Sequence, residues 1–222
     1  MLFRSTPFHE YVFVEKSRAK ARDLEKLKTD FPDHANKIRI ENRDANDALK
    51  EFCGSTNWRR CRAVVFLDPF GNQIPWGTLE AIAKCPGIDL WYLFPAGLGV
   101  HRQIARSGMI HDTHVPSLDR LLGTSNWKEQ FVETRQQADL FGGHEETRRT
   151  ATPEFITHFM VNRMRSIFRG GVLDVWLPLG HNRIHMYSLL FAWTNESPSA
   201  KLAAKLARAV LKGSTRGRSK RN

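Results

Sequence analysis

Apolar side chains fall in two alternating rhythms along the first half of this chain. Glu10–Glu15 (EYVFVE) is apolar and β-branched and predicts a strand. Ser17 offers a helix N-cap, and Leu24, Leu27 and Phe31 recur at helical spacing until Pro32 stops the helix. Lys37–Glu41 (KIRIE) alternates as a strand does, and Asp44-Ala45-Asn46 leads into a short helix carrying Ala48, Leu49 and Phe52. Ala63–Leu67 (AVVFL) is an unbroken apolar run, the pattern of a strand buried on both faces of a parallel sheet. Pro75 stands at the first turn of a helix whose Leu79, Ile82 and Ala83 share a face, with Pro86 just past its end. Ile88–Phe94 (IDLWYLF) predicts another buried strand. Strands alternating with helices in this way predict βα units on a parallel sheet.

The pattern weakens from about Val100 to Thr150, where Gly, His and charge surround short helical patches such as Leu118, Leu121 and Leu122. This stretch reads as an irregular helical insertion. A helix is predicted from Pro153 to Phe168, with Phe155, Phe159 and Met160 on one face and Ile167 near its end. Two strands follow, Val172–Leu179 and His185–Thr194, joined as a hairpin through Gly180-His181-Asn182-Arg183. Ser197 and Pro198 open a last amphipathic helix bearing Leu202, Leu206 and Val210, which Gly213 is expected to close. The expected organisation is one α/β domain over residues 1–212, with the insertion at about 100–150, and a basic disordered tail over 213–222.

Length and charge refine this picture. A chain of 222 residues buries one sizeable core. No stretch is long and apolar enough to span a bilayer, and the N-terminus lacks the order of segments of a signal peptide. The three cysteines, Cys53, Cys61 and Cys85, show no C-x-x-C spacing, which argues against zinc or a disulfide framework and suits a reducing, cytoplasmic setting. The nine histidines show no metal-ligand spacing either. The formal charge is +11, and from Lys201 onward Lys201, Lys205, Arg208, Lys212, Arg216, Arg218, Lys220 and Arg221 meet no acid. Such an excess favours a polyanion partner, DNA or RNA first; a solvated helix and tail is the plain alternative.

The stretch VVFLDPFGNQIPWGTLEAIAKCPGIDLWYLFPAGLGVHR, with EYVFVEKS, RDANDAL, NWRRCRAVVFLDPFG and MYSLLFAWTN, resembles the three-Cys-motif partner (TcmP) family over nearly the whole chain except its basic tail. The resemblance implies a doubly wound, mostly parallel Rossmann-like sheet of the class I methyltransferase type. It also implies S-adenosylmethionine as cofactor and a small three-cysteine-motif protein as partner. Those cysteines belong to the partner, so Cys53, Cys61 and Cys85 inherit no role. In that family a Gly-rich segment resembling F-A-G-P-G precedes the strand that here begins at Glu10, and Gly54, Gly71 and Gly77 are isolated. The strand at Glu10 is then the second of the fold. The expectation is a sheet lacking its N-terminal first strand, in a fragment, a mis-started reading or a degenerate copy.

Ligands of doubly wound sheets sit at the carboxyl ends of the strands, where Glu15, Asp44 and Asp68 fall. Glu15 is placed to accept both ribose hydroxyls, and Asp44, beside Ala45, the adenine amine. Their plain alternatives are a surface acid at a helix start and a helix cap. Asp68-Pro69-Phe70-Gly71 resembles the D-P-P-[FY] turn of amino-group methyltransferases, in which a carboxylate and a proline carbonyl hold the target amine and an aromatic ring stacks on the base. Phe70 stands where that turn has its second proline. The plain alternative is a turn ending a strand. Trp76 and Trp91 are candidate stacking residues, although tryptophan beside an apolar run is more often core. The two function classes these features leave are a methyltransferase acting on nucleic acid and a non-catalytic binding module working with the small partner.

Overall fold

A computed structural model describes residues 8–137, 144–182 and 184–219. The chain divides into two compact units, Met1–Ser55 and Thr56–Asn222. In the first, strands β1 (Tyr11–Val14) and β2 (Ile38–Glu41) pair in parallel, Tyr11 opposite Ile38 and Val14 opposite Glu41. The crossover holds helices α1 (Arg18–Leu24) and α2 (Lys26–Asp30) and a 3₁₀ turn begun by Pro32. Helix α3 (Ala45–Ser55) follows β2.

The second unit is built on a five-stranded sheet. Strands β3 (Ala63–Leu67) and β4 (Ile88–Phe94) pair in parallel around helix α4 (Trp76–Ala83). Helices α5 (Val115–Leu122) and α6 (Trp127–Phe131) come next, then a hairpin of β5 (Val132–Gln137) and β6 (His144–Arg149). Helix α7 (Pro153–Arg165) leads to β7 (Gly171–Val172), β8 (Leu177–His181) and β9 (Ile184–Trp193), and helix α8 (Pro198–Ser219) ends the chain. The strand order is β3-β4-β9-β7, with β8 also on β9. Helix α7 packs on β9 and β7, and α8 packs on β9 and β8.

The boundaries of β3 and β4 coincide with their apolar runs, and β1, β2 and β9 fall within a residue of the predicted segments. Several expectations need correction. The chain is α/β, but the sheet of the second unit is mixed, because β9 runs antiparallel to β4, β7 and β8. The AVVFL run is not buried on both faces. Strand β3 is a sheet edge, with Val64 49% and Phe66 59% exposed. The predicted strand Val172–Leu179 is broken between β7 and β8, where Leu173 and Val175 turn into the core beneath α8. The insertion holds the β5–β6 hairpin as well as short helices. Helix α8 does not stop at Gly213 but runs on to Ser219, since glycine weakens a helix without forbidding it. The hairpin linker turns at Asn182, whose φ is 49°; Arg183 and the last three residues of the tail lie outside the described residues.

Helix α5 ends in a left-handed cap at Gly123, φ 67°. A side chain there would fall on the Trp76 ring. The Arg163 guanidinium lies 4.5 Å from that ring's centroid and donates to the carbonyls of Leu122 and Gly123 at 3.2 and 2.8 Å. The arginine thus satisfies carbonyls a helix end leaves open and sets a positive charge at its negative pole.

Leu90, Tyr92 and Phe94 are fully buried on the face of β4 opposite α8. Among the described residues the Tyr92 hydroxyl has no hydrogen-bond partner, and burial pushes its phenol far above its ordinary titration range. A buried polar group left unpaired costs about 1–3 kcal/mol. Tyr92→Phe is therefore expected to stabilise the protein by about 1 kcal/mol, raising Tm by about 2–4 °C. An unchanged or lowered Tm in calorimetry would show that the hydroxyl is satisfied.

Candidate functional site

Three segments meet at the carboxyl end of β3 and β4. The first is Asp68–Asn72, which leaves β3. Pro69 and Asn72 are buried while Asp68 and Phe70 face outward, Phe70 at 82% exposure. Gly71, φ 65°, supplies the left-handed step that lets the turn reverse. Asn72 anchors it: its amide donates to the Gly99 carbonyl at 3.0 Å, to Gln103 Oε1 at 3.2 Å and to Ser117 Oγ at 3.3 Å. The second segment is a single π-type turn, Ala96–Val100, in which Gly99 and Val100 both donate to the Pro95 carbonyl at 2.8 and 3.1 Å. Gly99 is required here, because a Cβ would fall on Asn72 Oδ1. Turns of this kind recur at functional sites. Asn72 escaped sequence reading because its partners lie 27 to 45 residues away.

The Asp68 carboxylate has no partner among the described residues, so it and the Phe70 ring form an open acceptor–aromatic pair on a fixed turn. Trp76 and Trp91 do not join them. Trp76 is buried under Arg163, and Trp91 stands half-buried in the core beneath α8, its ring 4.8 Å from that of Phe191.

The third segment is a hydrogen-bonded chain that sequence reading missed. Glu154 Oε1 lies 2.9 Å from His185 Nδ1, His185 Nε2 lies 2.8 Å from Ser188 Oγ, and Ser188 Oγ lies 2.7 Å from Thr157 Oγ1. Thr157 also reaches the Pro153 carbonyl at 2.7 Å. The hydrogen bond from His185 holds the Glu154 carboxyl below its ordinary range. An acid, a histidine and a serine in this order have the spacing of a hydrolase triad. Ser188 is nevertheless fully buried within β9 opposite Phe94, and no substrate carbonyl reaches its hydroxyl. The chain is structural: it ties α7 to β9 with every hydroxyl satisfied.

Glu15, Asp44 and Ala45 belong to the first unit. Glu15 Oε1 accepts the Ser17 backbone N–H at 2.7 Å, at the start of α1. Asp44 Oδ1 accepts the Asn46 N–H at 2.9 Å at the start of α3, where Ala45 is the first residue, and Oδ2 pairs with Lys16 at 3.3 Å. The Asn46 N–H first, and Lys16 with it, hold the Asp44 carboxyl below its ordinary range. Asn42 Nδ2 ties these ends together, donating to the carbonyls of Glu15 and Lys16 at 2.8 and 3.0 Å. Both acids thus serve the chain itself. An adenosine would have to displace Lys16 from Asp44 and share Glu15 with a helix start.

Among the described residues no cluster of His, Cys, Asp and Glu has the makings of a metal site, and no helix is long and apolar enough to cross a membrane. No family model matches the chain, and none of the curated proteins matches its sequence.

Proposed function

We propose that this chain is a nucleic-acid-binding protein on a methyltransferase-like scaffold of the three-Cys-motif partner type, with Asp68, Pro69 and Phe70 forming the turn that receives a base. The observation that carries this reading is the exposed Phe70 ring beside the unpartnered Asp68 carboxylate, on a turn anchored by Asn72. An aromatic face stacks on any base, and a carboxylate accepts from an exocyclic amine. The strand arrangement supports the scaffold. Among the described residues β1 pairs with β2 alone and β3 with β4 alone, each in parallel, and β9 runs antiparallel beside β4. The basic residues of α8 and the tail supply phosphate contacts. Fold alone does not assign the chemistry. A non-catalytic role, working with a small three-cysteine-motif protein, is favoured over methyl transfer by one observation: the carboxylates of Glu15 and Asp44 are engaged by their own helix starts.

The test combines fluorescence anisotropy with labelled single-stranded and duplex oligonucleotides and calorimetric titration with S-adenosylmethionine. Phe70→Ala is expected to weaken single-strand binding about 5- to 150-fold, the worth of one stacked base. Replacing Arg216, Arg218, Lys220 and Arg221 together by glutamine is expected to flatten the salt dependence on duplex DNA by about 0.9 log unit for each phosphate that is no longer neutralised. Equal binding by the parent and Phe70→Ala would remove the base-receiving turn. Micromolar binding of S-adenosylmethionine, lost in Glu15→Ala, would restore the enzyme reading.

A further inference from the structure

On the sheet face that carries α8, the cover is incomplete. Ala204, Ala207 and Leu211 of α8 pack on Phe191, Leu173 and Leu177, and this cover extends as far as Trp91 on β4. Phe66 stands directly beside Trp91 in the β3–β4 register, on the same face, and Val64 stands beside Asp89. Both β3 side chains are about half exposed, at 49% for Val64 and 59% for Phe66. A helix on a sheet is about 10 Å wide and strands are about 4.8 Å apart, so a helix seated on β9 leaves the edge strand two places away bare.

Helix α8 itself presents a second apolar stripe. Leu202, Leu206 and Val210 are spaced four residues apart and are 59%, 62% and 55% exposed. At about 100° per residue this stripe lies roughly a third of a turn from the buried face. Lys201, Lys205, Arg208 and Lys212 occupy the other flank. Arg208 pairs with Asp174 at 2.6 Å, and Asp174 lies between β7 and β8, so the basic flank looks towards β8. The apolar flank therefore looks the opposite way, towards β4 and β3. Leu202, Leu206 and Val210 form one wall of a groove, and Val64 and Phe66 form its floor.

We propose that this groove seats an amphipathic helix of a partner protein, with acidic residues bordering its apolar face. Shape argues for a helix: β3 lies two strands, about 10 Å, from the β9 strand under α8, which is the spacing of neighbouring helices, and a flat bilayer would touch the outer wall without reaching the floor. Charge argues for an acidic one. Arg59, Arg60 and Arg62 stand exposed at the start of β3, the strand that makes the floor. Asp89 is the acid on the floor; burial raises its pKa and the nearby Arg62 lowers it. A second copy of this chain would bring its own excess of basic residues to the same arginines. The inference stands whether or not the chain binds nucleic acid.

The experiment uses the full chain and two synthetic helical peptides of about five turns, one with leucine on one face and glutamate on the other, its twin with lysine for glutamate. The glutamate peptide is expected to bind at least about tenfold more tightly than its twin, and Phe66→Glu and Leu206→Glu are each expected to weaken it about tenfold or more. Both side chains are exposed, so thermal melts of the variants are expected to match the parent. Equal affinity for the two peptides, or affinity indifferent to both variants, overturns the proposal. So does a dimer in sedimentation that either variant abolishes, which would name a second copy as the occupant. Sedimentation onto phosphatidylserine vesicles that either variant abolishes would name an anionic membrane instead.

Discussion

Trp127→Ala is expected to be severely destabilising, costing about 3–5 kcal/mol and lowering Tm by about 6–20 °C. The indole of Trp127 is fully buried, its ring lies 5.9 Å from that of Phe131, and its N–H donates to Asp119 at 2.7 Å. Truncation opens a cavity at the start of α6 and strands the Asp119 carboxylate, a partner on α5. The two losses separate experimentally. Trp127→Phe keeps most of the volume and loses only the hydrogen bond, so it should recover more than half of the loss. Calorimetry that ranks the two variants alike would show that the hydrogen bond, and not the volume, dominates.

Gly97→Ala is expected to cost about 3 kcal/mol, at the upper end of overpacking. A Cβ at Gly97 would fall on the carbonyl oxygen of His185, and backbone cannot swing aside as a side-chain tip does. The replacement forces the turn after β4 away from β9, carrying with it Gly99 and so the anchor of Asn72 and the Asp68–Phe70 turn. Gly54→Ala in α3 is the contrasting control. Nothing lies within 4 Å of its added methyl, and alanine is the better helix former by about 0.5–1 kcal/mol. A chemical-denaturation series in which both substitutions act alike would refute the close packing of Gly97 against β9.

What the sequence revealed depended on how each segment is held. Strands β3 and β4 were legible because AVVFL and IDLWYLF are runs no helix or loop requires. The burial of β3 was not, because an apolar run does not say how many neighbours it meets, and here one face is bare at Val64 and Phe66. The β5–β6 hairpin was invisible: VETRQQ and HEETRR lack an apolar face, and backbone pairing carries the register. Helix α8 was read correctly at its start, where Ser197 and Pro198 signal an opening. Its end was misplaced, because Gly213 halts a helix only when the chain adopts a left-handed turn there. At the candidate site Asp68, Pro69 and Phe70 were visible as a turn. Asn72, Gly99 and the Glu154–His185–Ser188–Thr157 chain were not, because apart from the local His185–Ser188 bond they are joined across 27 or more residues by contacts that no local pattern encodes.

A neutral His185, Ser188 and Thr157 own three hydrogens for the four contacts that join Glu154, His185, Ser188, Thr157 and the Pro153 carbonyl. Thr157 owns one hydroxyl hydrogen and has two neighbours that accept it, the Pro153 carbonyl and Ser188. If Thr157 gives it to Ser188, Ser188 gives its own to His185 Nε2, and a neutral imidazole donates from Nδ1 to Glu154. If Thr157 gives it to Pro153, Ser188 keeps its bond to His185 Nε2, and the Ser188–Thr157 contact goes without a hydrogen. The two arrangements need no heavy atom to move. Passing from one to the other turns a single hydroxyl, that of Thr157, which is fully buried between α7 and β9.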